Sequence, residues 1–146
     1  MKKSLLSLAV VIISLFIITG CTTFKSYTYS VETGDKIKVK LETSGGYDMT
    51  SSLPFTISKD GSVLSTSTFI KGEYYDQYIQ TAKSQGVVLD EGKKDSIEYL
   101  FYSYNDKEYN YIIKVNDSNT ALLIGNPHSK EEAEEVFNRI TISLEK

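Results

Sequence analysis

Between Asp35 and Thr43 the chain reads DKIKVKLET, with Ile37, Val39 and Leu41 alternating against Lys36, Lys38 and Lys40. A helix cannot gather a period-two pattern onto one face, whereas a β-strand does so by its geometry. The segment is therefore a strand with one buried and one wet face. Such a strand needs a sheet beside it and a second layer over its apolar side. FKSYTYSV, just upstream, supplies a first partner through the tight connection Glu32-Thr33-Gly34.

The same reasoning carries along the chain. Ser44 to Ser52 is a polar loop, and Pro54 opens FTISKDGSVLSTSTFI, two strands around the hairpin signal Asp60-Gly61. Gly72 breaks the pattern before EYYDQYIQTAKSQ, where Tyr75, Tyr78, Ile79 and Ala82 recur at helical spacing and Gly86 stands at the expected C-cap. GVVLDE is a short strand. SIEYLFYSY and EYNYIIKV are longer ones joined by Asn105-Asp106-Lys107, and TALLIG follows. The last helix opens on a capping box, Ser129 with Glu132, and carries Ala133, Val136, Phe137, Ile140 and Leu144 as its apolar stripe. The predicted order is β-β-β-β-α-β-β-β-β-α: an α+β fold, an antiparallel β-sheet with two helices packed on it.

Ahead of this pattern stands a segment of another kind. Met1-Lys2-Lys3 precedes an apolar run whose core, Leu5 to Ile18, is 14 residues long. A spanning helix needs roughly 20, so the run reads as the h-region of a secretory signal peptide. It ends in Ile18-Thr19-Gly20-Cys21, which resembles the bacterial lipobox. That resemblance implies a diacylglyceryl group on the Cys21 sulfur, cleavage before Cys21, and a fatty-acylated (palmitate-bearing) protein held on a membrane. The reading divides the chain into a lipoprotein signal peptide (1–20), a lipidated N-terminus and short tether (21–26) and a single α+β domain (27–146). The expected location is the extracytoplasmic face of the cell membrane. In a Gram-negative host Thr22 resembles the residue that directs such proteins to the outer membrane.

Loss of residues 1–20 leaves 126 of 146 residues, one ordinary domain, and takes the net charge from −3 to −5. A mildly acidic chain argues against a nucleic-acid partner. Cys21 is the only cysteine, so no disulfide can brace the fold and the core must hold it alone. With 11 Tyr and 6 Phe in the chain, that core is feasible.

LPFTISKDGSVLSTSTFIKGEYYDQYI, a following hairpin, and ALLIGNPHSKEEAEEVFNRITISL are together similar to the PsbP/DcrB-like fold. The matching positions are Pro54, Phe55, Phe69, Tyr78, Phe137 and Ile140. The resemblance covers most of residues 50–144 and rests on core positions. It implies a membrane-attached accessory module with no shared catalytic residues.

Candidate sites are few. His128, the only histidine, lies in a turn and has no second histidine or free cysteine with which to build a metal site. Asp90-Glu91, Asp95 and Asn116 to Asn119 lack the ligand spacing of a calcium loop. No serine sits in an activating setting, and Gly45-Gly46 lacks the lysine and helix of a phosphate loop. No catalytic residue, cofactor or metal is expected. The Tyr-rich hairpin remains: Tyr102 and Tyr104 share a face, and with Tyr47 they form the candidate binding surface. Helices covering both faces would remove it. The row Lys36, Lys38, Lys40 is either a solvated face or one that meets anionic head groups. The functional expectation is a non-enzymatic lipoprotein binding a protein or envelope component. The alternative is a small-ligand or ion-binding lipoprotein serving a transporter.

Overall fold

The computed structural model describes residues 22–146. Ile18, Thr19, Gly20 and Cys21 lie outside the described residues. The elements are β1 (Phe24–Ser30), β2 (Lys36–Glu42), β3 (Tyr47–Met49), β4 (Phe55–Lys59), β5 (Ser62–Lys71), α1 (Tyr75–Gln85), β6 (Val87–Lys94), β7 (Ile97–Tyr104), β8 (Glu108–Val115), β9 (Thr120–Asn126), α2 (Lys130–Arg139) and β10 (Ile140–Leu144). The fold is α+β, and every strand pairing is antiparallel.

The strands divide into two sheets where the sequence pattern had implied one. A three-stranded sheet runs β1-β2-β10 and a seven-stranded sheet runs β3-β4-β5-β9-β8-β7-β6. The inner face of the large sheet carries Phe55, Ile57, Phe101, Tyr111, Ile113, Leu122 and Ile124, packed against Ile37, Val39 and Leu41 of β2 and against Ala133, Val136 and Phe137 of α2. Fully burying an aliphatic side chain of this size contributes about 1.5–3 kcal/mol. The outer face carries Leu100 and Ile112, which meet Ala82, Tyr75 and Ile79 of α1. The molecule thus has three layers: α1, the large sheet, and a third layer shared by α2 and the small sheet.

Three readings change. The loop from Ser44 to Ser52 contains β3, because Tyr47 and Met49 turn inward and pair against β4. The final helix stops at Arg139, and its last two stripe residues, Ile140 and Leu144, belong to β10. Spacing at i and i+4 fits a helix, but Ile142 lies between them and is fully buried, so the segment alternates with period two and completes the small sheet beside β2. Residues 24–26 of the segment read as a tether belong to β1, and the Thr23 carbonyl already accepts the Thr43 N–H at 2.9 Å.

The turns follow their chemistry. Asp60 and Gly61 both have positive φ (49° and 82°), the signature of the tight hairpin turn between β4 and β5. Ser129 caps α2 by accepting the Glu132 N–H at 3.1 Å. Gly86 follows α1 but is extended (φ −115°), not left-handed. Glycine is required there by close approach, since a β-carbon would stand 2.8 Å from both the Ser103 carbonyl oxygen and Tyr102 Cδ2.

One polar joint ties the small sheet to the large one. Asp35 Oδ2, in the β1–β2 turn, accepts the Thr120 hydroxyl at 2.7 Å and the Asn119 N–H at 2.8 Å, where β9 begins. The Thr33 and Thr120 hydroxyls lie 2.6 Å apart in the same joint. Hydrogen bonds to a charged acceptor contribute about 1.5–3 kcal/mol each, and Thr120 is buried. Asp35→Ala should therefore lower unfolding stability by about 2 kcal/mol, read from the urea midpoint, with Asp35→Asn losing less. Equal midpoints for Asp35→Ala and the native chain would show that the joint carries no load.

Candidate interaction surfaces

The three tyrosines singled out from sequence do not converge. Tyr47 is 5% exposed and belongs to the main core; its ring lies under the Arg139 guanidinium, 4.1 Å from ring centre to Cζ. It sits on β3, at one edge of the large sheet. Tyr102 and Tyr104 sit on β7, next to the other edge, and Tyr102 is on the outer face. Tyr102 is half-buried beside Ala82 and Leu100 under α1, and burial raises its phenol above the usual tyrosine value. Tyr104 is exposed. The expected Tyr47–Tyr102–Tyr104 surface is not formed, because α1 covers the β7–β8 face and β3 turns Tyr47 inward.

A different aromatic surface replaces it. Helix α1 covers only one side of the outer sheet face and leaves Thr66 and Thr68 of β5 open to solvent. A groove of about 260 Å³ runs along that boundary, with Thr66, Thr68, Leu123 and Gly125 on the sheet side and Tyr78 and Tyr102 on the helix side. Gly125 keeps the floor low, as a β-carbon there would approach Asn110 Oδ1 to 3.1 Å. Tyr78 also borders a second depression of about 310 Å³ with Tyr74, Gln77 and Thr81. The sequence placed Tyr78 in the buried stripe of α1. The structure leaves both Tyr74 and Tyr78 exposed, at 46% and 39%. Hydroxyls, the Gln77 and Asn110 amides, aliphatic side chains and aromatic faces line this surface without a charged side chain, which suits an uncharged polar or aromatic contact better than ionic chemistry.

The remaining polar features have structural explanations. His128 Nε2 lies 3.1 Å from the Val63 carbonyl, and its backbone N–H donates to Asn126 Oδ1. Lys94 was not visible as special in the sequence. Its Nζ donates to the carbonyls of Phe137 (2.7 Å) and Ile140 (3.1 Å), closing the C-terminus of α2, and burial holds its amine below the usual lysine value. Tyr99 donates to Asp90 Oδ2 at 2.8 Å, which together with burial raises its phenol. Among the described residues no three His, Cys, Asp or Glu side chains come together as a metal site, and no helix is long and apolar enough to cross a membrane.

The lysine row lies where alternation placed it. Lys36, Lys38 and Lys40 point outward from the middle strand of the small sheet, opposite Ser30, Thr28 and Ser26 of β1. Lys40 Nζ stands 3.9 Å from the ring centre of Phe24, which is 53% exposed. No family model, curated protein or solved structure matches the chain.

Proposed function

We propose that this chain is a small bacterial lipoprotein with a PsbP/DcrB-like domain, cut before Cys21 and anchored through lipid on that residue. It is held at the extracytoplasmic face of the cell membrane, or on the outer membrane of a Gram-negative host. It performs no chemistry of its own and binds a protein or envelope component as an accessory module. The observation that carries this reading is where the fold starts. Backbone pairing among the described residues begins at Thr23, two residues after Cys21, so a chain cut before Cys21 would keep every described strand and helix.

The contact surface in this proposal is the groove beside α1 together with the depression that Tyr78 shares with it, and Tyr74 and Tyr78 are its exposed aromatic anchors. The same groove supports the second reading, a small-ligand lipoprotein serving a transporter, because its volume approaches the low end of roughly 300–1,000 Å³ typical of small-molecule sites.

Anchoring is tested by Cys21→Ala in a bacterial host. The variant should accumulate as an uncleaved precursor without lipid mass, while the native chain yields an acylated peptide beginning at Cys21. Normal processing of the variant would overturn the lipoprotein reading. The double variant Tyr74→Ala/Tyr78→Ala should lose its crosslinked membrane partner while remaining acylated. Retention of that partner would remove the groove from the proposal.

A further inference from the structure

Resting on the lipid-anchor reading, we infer that the outer face of the small sheet is a membrane-docking face that lies flat on an anionic lipid leaflet. Lys36, Lys38 and Lys40 recur every second residue along β2, so they form a straight row of about 13 Å at ~3.3 Å per residue. Serines and threonines flank that row on both sides: Ser26, Thr28 and Ser30 on β1, Thr141 and Ser143 on β10. No ion pair among the described residues engages these three lysines. The other cations nearby are spent: Lys25 on Asp48 at 2.6 Å, Arg139 on Glu135 at 2.8 Å. Two acids border the row: Glu42 lies 3.6 Å from Arg139, and Glu145 donates its backbone N–H to the Lys36 carbonyl at 2.8 Å, so the three lysines leave the face net positive on a mildly acidic domain.

The first described residues, Thr22 and Thr23, stand at the end of that same face. Thr23 is fixed by its bond to Thr43, and only Thr22 separates it from Cys21. Two residue steps reach at most about 7 Å, so lipid on Cys21 would hold Phe24 at the head-group level. Phe24 faces outward with the row, half-exposed, and an aromatic ring under a lysine ammonium suits the interface. A lysine near an anionic surface contributes about fivefold in association, and three act in the same direction, on the order of a hundredfold together. With one end of the sheet held by lipid, that attraction turns the face down instead of letting the domain stand upright. The third layer then meets the lipid, and the groove beside α1, on the opposite layer, faces away from the membrane toward a partner.

The chain contains no tryptophan, so Thr28→Trp places a single reporter opposite Lys38, four residues from Phe24. The acylated mature protein bearing Thr28→Trp is reconstituted in vesicles of phosphatidylglycerol or of phosphatidylcholine, each containing brominated lipid. Docking predicts quenching several-fold stronger on the anionic vesicles, reversal by 0.5 M salt at a screening length of roughly 4 Å, and loss of the difference in K36Q/K38Q/K40Q. Equal, weak quenching on both lipids with Cys21 acylated by mass would overturn docking and leave the anchor intact. A chain that carries no lipid would overturn both. Lysine protection seen in whole cells with no quenching on anionic vesicles would assign the row to a wall-borne anion and likewise overturn the docking face.

Discussion

Phe137→Ala should lower the stability of this domain by about 3–5 kcal/mol, a large share of the 5–15 kcal/mol typical of such a fold. Phe137 is the residue through which α2 grips the large sheet. Its ring stacks on Tyr111 with centroids 4.0 Å apart and 9° between planes, and Tyr111 stacks on Phe101 at 4.2 Å and 7°. Tyr99 packs at 4.8 Å from the same ring. Truncation to alanine would leave a hole bordered by two rings anchored in strands, those of Tyr99 and Tyr111, which cannot collapse to fill it. It would also strip the Lys94 ammonium of the ring it lies over at 4.6 Å, while its two carbonyl partners stay in place. Because β10 continues directly from α2, loosening the helix also loosens an edge of the small sheet. Urea unfolding should show a lower midpoint at unchanged slope. Phe137→Leu should recover most of the loss. A cost below about 1 kcal/mol for the alanine variant would mean that the aromatic column does not hold the layers together.

How much of this was legible beforehand depended on whether a local pattern had a single reading. Ile37, Val39 and Leu41 alternate too cleanly to be anything but a strand, and all three are fully buried. The hairpin at Asp60-Gly61 and the Ser129 cap are local chemistry and appear where the residues put them. The end of the chain was ambiguous because Ile140 and Leu144 satisfy two periods at once; Ile142 was the deciding residue, and a helical reading passes over it. Separation into two sheets had no local signal, since β10 joins β2 across about a hundred residues of sequence. The tyrosines failed as a site for a related reason. Density of aromatic residues says nothing of which face a distant helix will cover, and α1 hid Tyr102 while leaving Tyr78 out. The groove exists because α1 is too short to roof the whole sheet, a property of packing that no single stretch encodes.

The second large effect is expected in alkali. Tyr29 is 4% exposed, donates to the Thr50 carbonyl at 2.7 Å, and stacks on Phe55 at 5.0 Å, so β1 meets β4 through it. Burial favours its neutral phenol and pushes its pKa from the ordinary 10 up to about 12. Tyr111 is displaced further in the same direction, by burial first and by the charge of Glu134 next. A group whose pKa is raised in the folded state gives its full stabilisation below the unfolded value and loses it as pH climbs through the folded one. Stability should therefore hold to about pH 10 and fall between pH 10 and 12, with Tyr29 accounting for about 2–3 kcal/mol of the fall. Lys94 acts in the opposite sense. Burial lowers its pKa, so the unfolded chain binds more protons just below pH 10.5 and stability rises there. Tyr29→Phe separates these contributions, since it keeps the ring and removes the ionisable group. It should cost about 1 kcal/mol at neutral pH through the lost hydrogen bond, and it should shorten the alkaline fall measured by urea midpoints from pH 8 to 12. An unchanged alkaline fall in Tyr29→Phe would place the sensitive contact elsewhere. Tyr29 lies between the sheet proposed to face lipid and the sheet that carries the groove, so this titration reads the joint on which a fixed orientation of that groove depends.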